Sequence, residues 1–145
     1  MSFMGSLNIS GSGMTAQQYR MEIVAQNLAN ASTTRTEEGG PYRRKLVLLS
    51  EIGGQSDFAS TLRVASGVAA GGVRVSAVVD DNDDFKVEYD PSHPDANEDG
   101  YVQLPNVDTM EEMIDIMSAS RLFESNVTAF NAMKSMASKA LEIGK

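Results

Sequence analysis

The sequence predicts an α+β chain in which long N- and C-terminal helices pair as a coiled coil around a small β-rich insert. Three observations predict it. All nine Met lie in 1–21 or 110–136, whereas all four Pro and eight of the twelve Gly, seven of them from Gly39 through Gly72, lie between those ends. Pro-free ends rich in Met and Ala favour helix, and a middle punctuated by Gly and Pro with short β-branched runs favours strands and turns. Apolar residues also recur every seven positions at both ends. The chain divides accordingly into a helical part at 1–35, a β-rich insert with an acidic connector at 36–105, and a long helix within 106–145.

The first helix carries Leu7, Met14, Met21 and Leu28 in one heptad row. Val24, Ala25 and Ala31 widen that stripe, and Gln17, Gln18, Arg20, Glu22 and Gln26 occupy much of the remaining surface. Gly11 and Gly13 weaken its beginning, and Thr15 with Gln18 has the spacing of a capping box, so the helix is placed at 14–31. Residues 1–11 fall outside it, frayed or helical only against a partner.

In the middle, 42–49, 72–79 and 85–89 are strand-like. Alternation is clearest in Val73, Val75 and Ala77 and in Phe85, Val87 and Tyr89, which predicts one small antiparallel sheet. The weakly patterned stretch between Gly53 and Gly72 reads as a loop or irregular strand.

The second helix is placed at 109–143. Asp108 with Glu111, and Thr109 with Glu112, offer capping boxes, and Gly144 is positioned as a stop. Met113, Ile116, Ser120, Phe123, Val127, Phe130, Ala137 and Leu141 recur at three- and four-residue steps, with Lys134 the one charged interruption, which is a coiled-coil seam. Such a helix spans roughly 52 Å, whereas a compact domain of this size has a diameter of roughly 38 Å. It overshoots its own domain. A shorter first helix cannot cover the whole seam, so part of it is expected to be buried against other chains, through Leu7, Met14, Met21, Leu28, Met113, Ile116, Phe123, Val127, Phe130 and Leu141.

Composition removes several kinds of chemistry. With 41% hydrophobic and 22% charged residues the 145-residue chain is globular, and a net charge of −8 disfavours nucleic acid. The absence of Cys excludes disulfides and thiolate chemistry, and one His cannot make a multi-histidine metal site. Residues 1–9 lack the basic and apolar regions of a secretory leader, and no apolar run approaches a membrane span, so any export uses another route.

Asp95, Asn97, Asp99 and Gly100 copy the first half of a calcium loop. The position of the bidentate Glu is Asn106, however, and Pro91 and Pro94 break the helix that should lead in. The segment 95–106 reads instead as a structural connector, with Asp and Asn side chains accepting from their own backbone. A calcium-binding coiled-coil adaptor is the alternative. The carboxylates of 80–99 lack the walls of a hydrolase cleft, and His93 has no visible catalytic partner, so no enzyme is expected and no cofactor or small-molecule substrate is assigned. The basic run Arg43-Arg44-Lys45 reads as contact with an acidic surface of a neighbouring subunit.

Met14-Thr15-Ala16-Gln17 followed by Asn27-Leu28-Ala29-Asn30-Ala31-Ser32-Thr33 resembles the N-terminal signature of the axial proteins of the bacterial flagellum: rod, hook and hook-associated proteins. Gly39-Gly40-Pro41-Tyr42-Arg43-Arg44-Lys45, the run Asp90-Pro91-Ser92-His93-Pro94-Asp95-Ala96-Asn97-Glu98-Asp99-Gly100-Tyr101-Val102, and Pro105-Asn106-Val107 are similar to the proximal-rod proteins of the basal body. So is the ending from Ser118 to Lys145. Only about 50–80 lies outside the likeness. The resemblance implies an inner coiled-coil domain lining an axial channel, a β-rich domain outside it, and passage through the flagellar type III export apparatus. It implies as partners the chain itself and other proximal and distal rod subunits, in a drive shaft outside the cytoplasmic membrane that links motor to hook. Packing is the mechanism, with heptad seams burying apolar surface at roughly 25 cal/mol per Å².

Overall fold

The computed structural model describes residues 3–37, 39–52, 62 and 71–143. Two long helices, α1 (Phe3–Ala29) and α2 (Thr109–Ile143), enclose in sequence the strands β1 (Lys45–Glu51), β2 (Val73–Asp80), β3 (Lys86–Tyr89) and β4 (Tyr101–Leu104). The α+β class is as the sequence predicts. The second helix also has the predicted bounds, because Asp108 caps it: its Oδ1 accepts from the Met110 N–H at 2.9 Å, and its carbonyl takes the Glu112 N–H.

The first helix differs from expectation. It runs unbroken through Gly11 and Gly13, and Thr15 is no cap: its hydroxyl donates back to the Gly11 carbonyl at 3.1 Å, while Gln18 reaches Glu22. Tertiary packing overrides propensity here. A Cβ on Gly13 would lie 3.1 Å from the side chain of Asn126, so the glycine lets α1 approach α2 closely. At its other end, α1 stops at Ala29, where Asn30 Nδ2 donates to the Gln26 carbonyl.

The helices pack antiparallel. Asn27 lies against Glu112, Arg20 pairs with Asp115 at 3.1 Å, and Gly13 faces Asn126. From Asn27 back to Gly13 and from Glu112 on to Asn126 are equal steps of two heptads. Extending that alignment brings Phe3 level with Met136, so the last turns of α2 run past the start of α1.

The predicted single sheet is two. β1 pairs antiparallel with β2 from Lys45↔Asp80 to Glu51↔Val73, with an irregularity between Leu48 and Leu49, and β3 pairs antiparallel with β4 from Lys86↔Leu104 to Tyr89↔Tyr101. The strand β4 falls inside the expected connector. β2 and β3 belong to different sheets, and the linker between them is held by side chains instead: Arg43 Nη1 donates to the Asp81 carbonyl at 2.8 Å, and Asn106 Nδ2 to that of Asp83 at 3.3 Å. The loop expected after Gly53 lies largely outside the described residues.

The core is small. Ala16, Ile23 and Val24 of α1, Ala119 of α2, and Val102, Pro105 and Val107 around β4 are its buried apolar side chains among the described residues. The accessible surface is 10162 Å², against about 7,200 Å² for a compact monomer of this mass. The chain leaves much apolar surface uncovered, and no described helix is long and apolar enough to cross a membrane.

Candidate assembly surfaces and the buried junction

Three segments meet where α1 ends, α2 begins and β1 starts. Asn27 is 1% exposed and Glu112 fully buried, which a polar pair tolerates only when its hydrogen bonds are made. Asn27 Oδ1 accepts from the Lys45 N–H and the Tyr42 hydroxyl, each at 2.9 Å. Its Nδ2 donates to the Lys45 carbonyl at 2.9 Å and to Glu112 Oε2 at 3.0 Å. The carboxamide thus takes both backbone groups of Lys45, as a neighbouring strand would, and ties β1 to the helices.

The other Glu112 oxygen accepts from Arg44 Nε at 2.7 Å, and Arg44 Nη1 lies 3.4 Å from Asp81. Burial opposes the guanidinium's charge, but bonds and attraction from Glu112 and Asp81 outweigh it and raise the Arg44 pKa. Burial, with Asp80 and Glu112 nearby, likewise pushes the Tyr42 hydroxyl up. Asn106 Oδ1 accepts the Arg44 N–H at 2.8 Å, and Arg43 stacks 4.4 Å above the Phe85 ring. The contact expected from Arg43 and Arg44 to a neighbouring subunit is therefore made inside the chain. Their acceptors, Asp81 and Glu112, come from distant segments, so sequence spacing could not pair them.

The signature residues of 90–101 build a turn. Asp90 Oδ1 accepts from Ser92 N–H and hydroxyl, which lowers its pKa. His93 Nδ1 accepts the Asp95 N–H at 3.1 Å, and Asn97 Oδ1 those of Asp99 and Tyr101 at 3.1 and 2.8 Å. Asp95 Oδ2 takes the Thr34 hydroxyl at 2.8 Å, joining the turn to the segment after α1, which also holds Asn30 and Pro41. Gly100 has φ +80°, and Tyr89 and Tyr101 meet edge to face at 5.2 Å. These oxygens serve donors within the chain, and among the described residues no three of His, Asp and Glu gather as metal ligands.

The residues placed on the coiled-coil seam fall in two groups. Leu7, Met14, Met21, Leu28, Ile116, Phe123, Val127 and Phe130 are half-buried, while Met113 and Leu141 are exposed. The face of α2 toward α1 is the row Glu112, Ile116, Ala119, Phe123, Asn126, Phe130, Met133 and Ala137, each buried or half-buried. It shares alternate members with the expected seam and takes the others one residue earlier, so Met133 replaces the interrupting Lys134. Met110, Met113, Ile114 and Met117, 48–67% exposed, sit roughly 140° around the helix from that row. They form a second apolar stripe, of which only Met113 belongs to the expected seam. Its signal is the spacing of four large apolar residues at three- and four-residue steps.

The family model described as Flagella basal body rod protein matches residues 7–35, and that described as Flagellar basal body rod FlgEFG protein C-terminal matches residues 98–143. Those matches define a structural subunit of the flagellar basal-body rod, a class that is not enzymatic. The flagellar basal-body rod protein FlgC of Bacillus subtilis strain 168 is 52% identical over 147 residues, 97% of each chain. FlgC of Borreliella burgdorferi is 39% identical over 99% of this chain and 98% of that one, and FlgC of Escherichia coli O157:H7 is 39% identical over the full length of both. The chain belongs to the FlgC family of rod proteins.

Proposed function

We propose that the chain transmits motor rotation as a proximal-rod subunit through helix packing, with 1–35 and 106–145 forming an inner coiled-coil domain and 36–105 an outer β-rich one. The matched two-heptad steps between Asn27–Glu112 and Gly13–Asn126 support the coiled-coil pairing. One observation carries the assembly reading: α2 keeps large apolar side chains exposed at Met110, Met113, Ile114 and Met117, off the face toward α1, and again at Met136 and Leu141, level with the start of α1 and past it. Surface of this kind is covered in the working state. Neighbouring copies and other proximal and distal rod subunits cover it, with Leu7, Met14, Met21, Leu28, Phe123, Val127 and Phe130 contributing at the groove edges. The chain reaches the rod through the flagellar type III export apparatus.

The test is incorporation of the full chain carrying Ile114→Asp and Met117→Asp into isolated basal bodies. These positions are exposed in the free chain, so its melting temperature should hold while incorporation is lost. Normal incorporation would refute the assembly role of the stripe.

A further inference from the structure

The pairing of α1 with α2 is repetitive. Leu7, Met14, Met21 and Leu28 recur every seven residues, and so do Ile116, Phe123, Phe130 and Ala137. Sliding one helix by a heptad, about 10 Å, again sets apolar rows beside apolar rows. Besides Asn27 and Glu112 the buried residues of the two helices are small or apolar, Ser10, Ala16, Ile23 and Val24 on α1 and Ala119 on α2, and discriminate poorly between alignments, while the Arg20–Asp115 pair is partly exposed and adds little. Gln17 does not help, since its Oε1 is buried with no hydrogen-bond partner.

We propose that Asn27 and Glu112 are the register pin of the helix pair, and that Arg44 makes the same pin set the seating of the β insert. Neither residue has a heptad equivalent: seven positions before Asn27 is Arg20, and seven after Glu112 is Ala119. A slid alignment strands a buried carboxylate and carboxamide away from each other, and from Lys45, Tyr42 and Arg44, whose bonds they complete. Buried polar groups that are satisfied in only one alignment select that alignment, as a single buried Asn does in a coiled coil. The inference rests on the coiled-coil pairing proposed above.

The chain has no Cys, so paired Cys substitutions report alignment cleanly. Gly13→Cys with Asn126→Cys reports the native register, and Gly13→Cys with Met133→Cys or with Ala119→Cys reports a slide of one heptad in either direction. In the otherwise unsubstituted full chain the first pair should cross-link on oxidation and the other two should not; failure of the first would overturn the pairing itself. With Glu112→Leu or Asn27→Leu added, a slid pair should gain at least tenfold in cross-linking relative to the native pair. Val24→Ala, which weakens packing without touching the pin, should slow native cross-linking without creating slid products. Slid products with Val24→Ala, or their absence with both pin variants, would overturn the pin.

Discussion

Asn27 and Glu112, from opposite ends of the chain, share a 3.0 Å hydrogen bond inside a fully satisfied polar junction. Four partners depend on the Asn27 carboxamide: the Lys45 N–H and carbonyl, the Tyr42 hydroxyl and Glu112. Asn27→Ala orphans all of them and is expected to cost about 2–4 kcal/mol. Chemical denaturation of the purified chain measures this. A loss below about 0.5 kcal/mol, the range of ordinary surface substitutions, would mean that water replaces the bonds.

The Arg44–Glu112 pair should behave non-additively. Arg44→Met leaves the buried Glu112 carboxylate without its 2.7 Å donor, and breaking such a pair costs about 3–5 kcal/mol. Arg44→Met with Glu112→Leu removes both charges and should be less damaging than Arg44→Met alone. A double-mutant cycle gives the coupling, and strict additivity would show that the two side chains act independently.

Two groups place opposite limits on pH stability. The Met110 and Glu111 N–H groups, with Lys86 nearby, hold Asp108 below its ordinary 3.8. Its contribution is therefore present above that pH and is lost as pH falls through the lowered value. Asp108→Asn keeps a cap without the titration, so the acid limb of helix melting below pH 4 should flatten. Tyr42 lies above its ordinary 10.0, so its contribution is present below that pH and disappears as pH rises through the raised value. Tyr42→Phe should flatten the alkaline limb, and unchanged limbs in both variants would contradict these assignments.

Local chemistry made part of this molecule legible in the sequence. Asp108 marks the start of α2 because an N-cap acts within one turn, and the Asn97–Gly100 turn is visible because its acceptors and donors lie within four residues. The seam was only half legible. Glu112, a charge, lies off the predicted seam, and only Arg44 and Asn27, distant in sequence, make its burial tolerable. The weak beginning expected from Gly11 and Gly13 does not materialise for the converse reason, since packing on α2, at Gly13 against Asn126, offsets weak propensity. β4 is four residues long, and its pairing with β3 is created by the turn between them.

That turn has its own test. A Cβ at Gly100 would lie 2.9 Å from Tyr89 Cε2, at φ +80°, where a side chain costs roughly 1–2 kcal/mol before any clash. Gly100→Val should disturb the Tyr89–Tyr101 contact, seen in ring proton shifts, and lower motility while helical circular dichroism holds. Unchanged tyrosine shifts would show that the turn accommodates the side chain.

Assembly into the rod is expected to cover the exposed apolar faces of α2. The methionines are its natural probes, because Met110, Met113, Met117 and Met136 are 48–67% exposed in the free chain and thioether oxidation follows exposure. The decisive measurement is the peroxide oxidation rate of each methionine, read by mass spectrometry, in the free chain and in isolated basal bodies. At least a tenfold slowing at Met113, Met117 and Met136 on assembly is predicted, and equal rates in the two states would mean that these faces stay open in the rod.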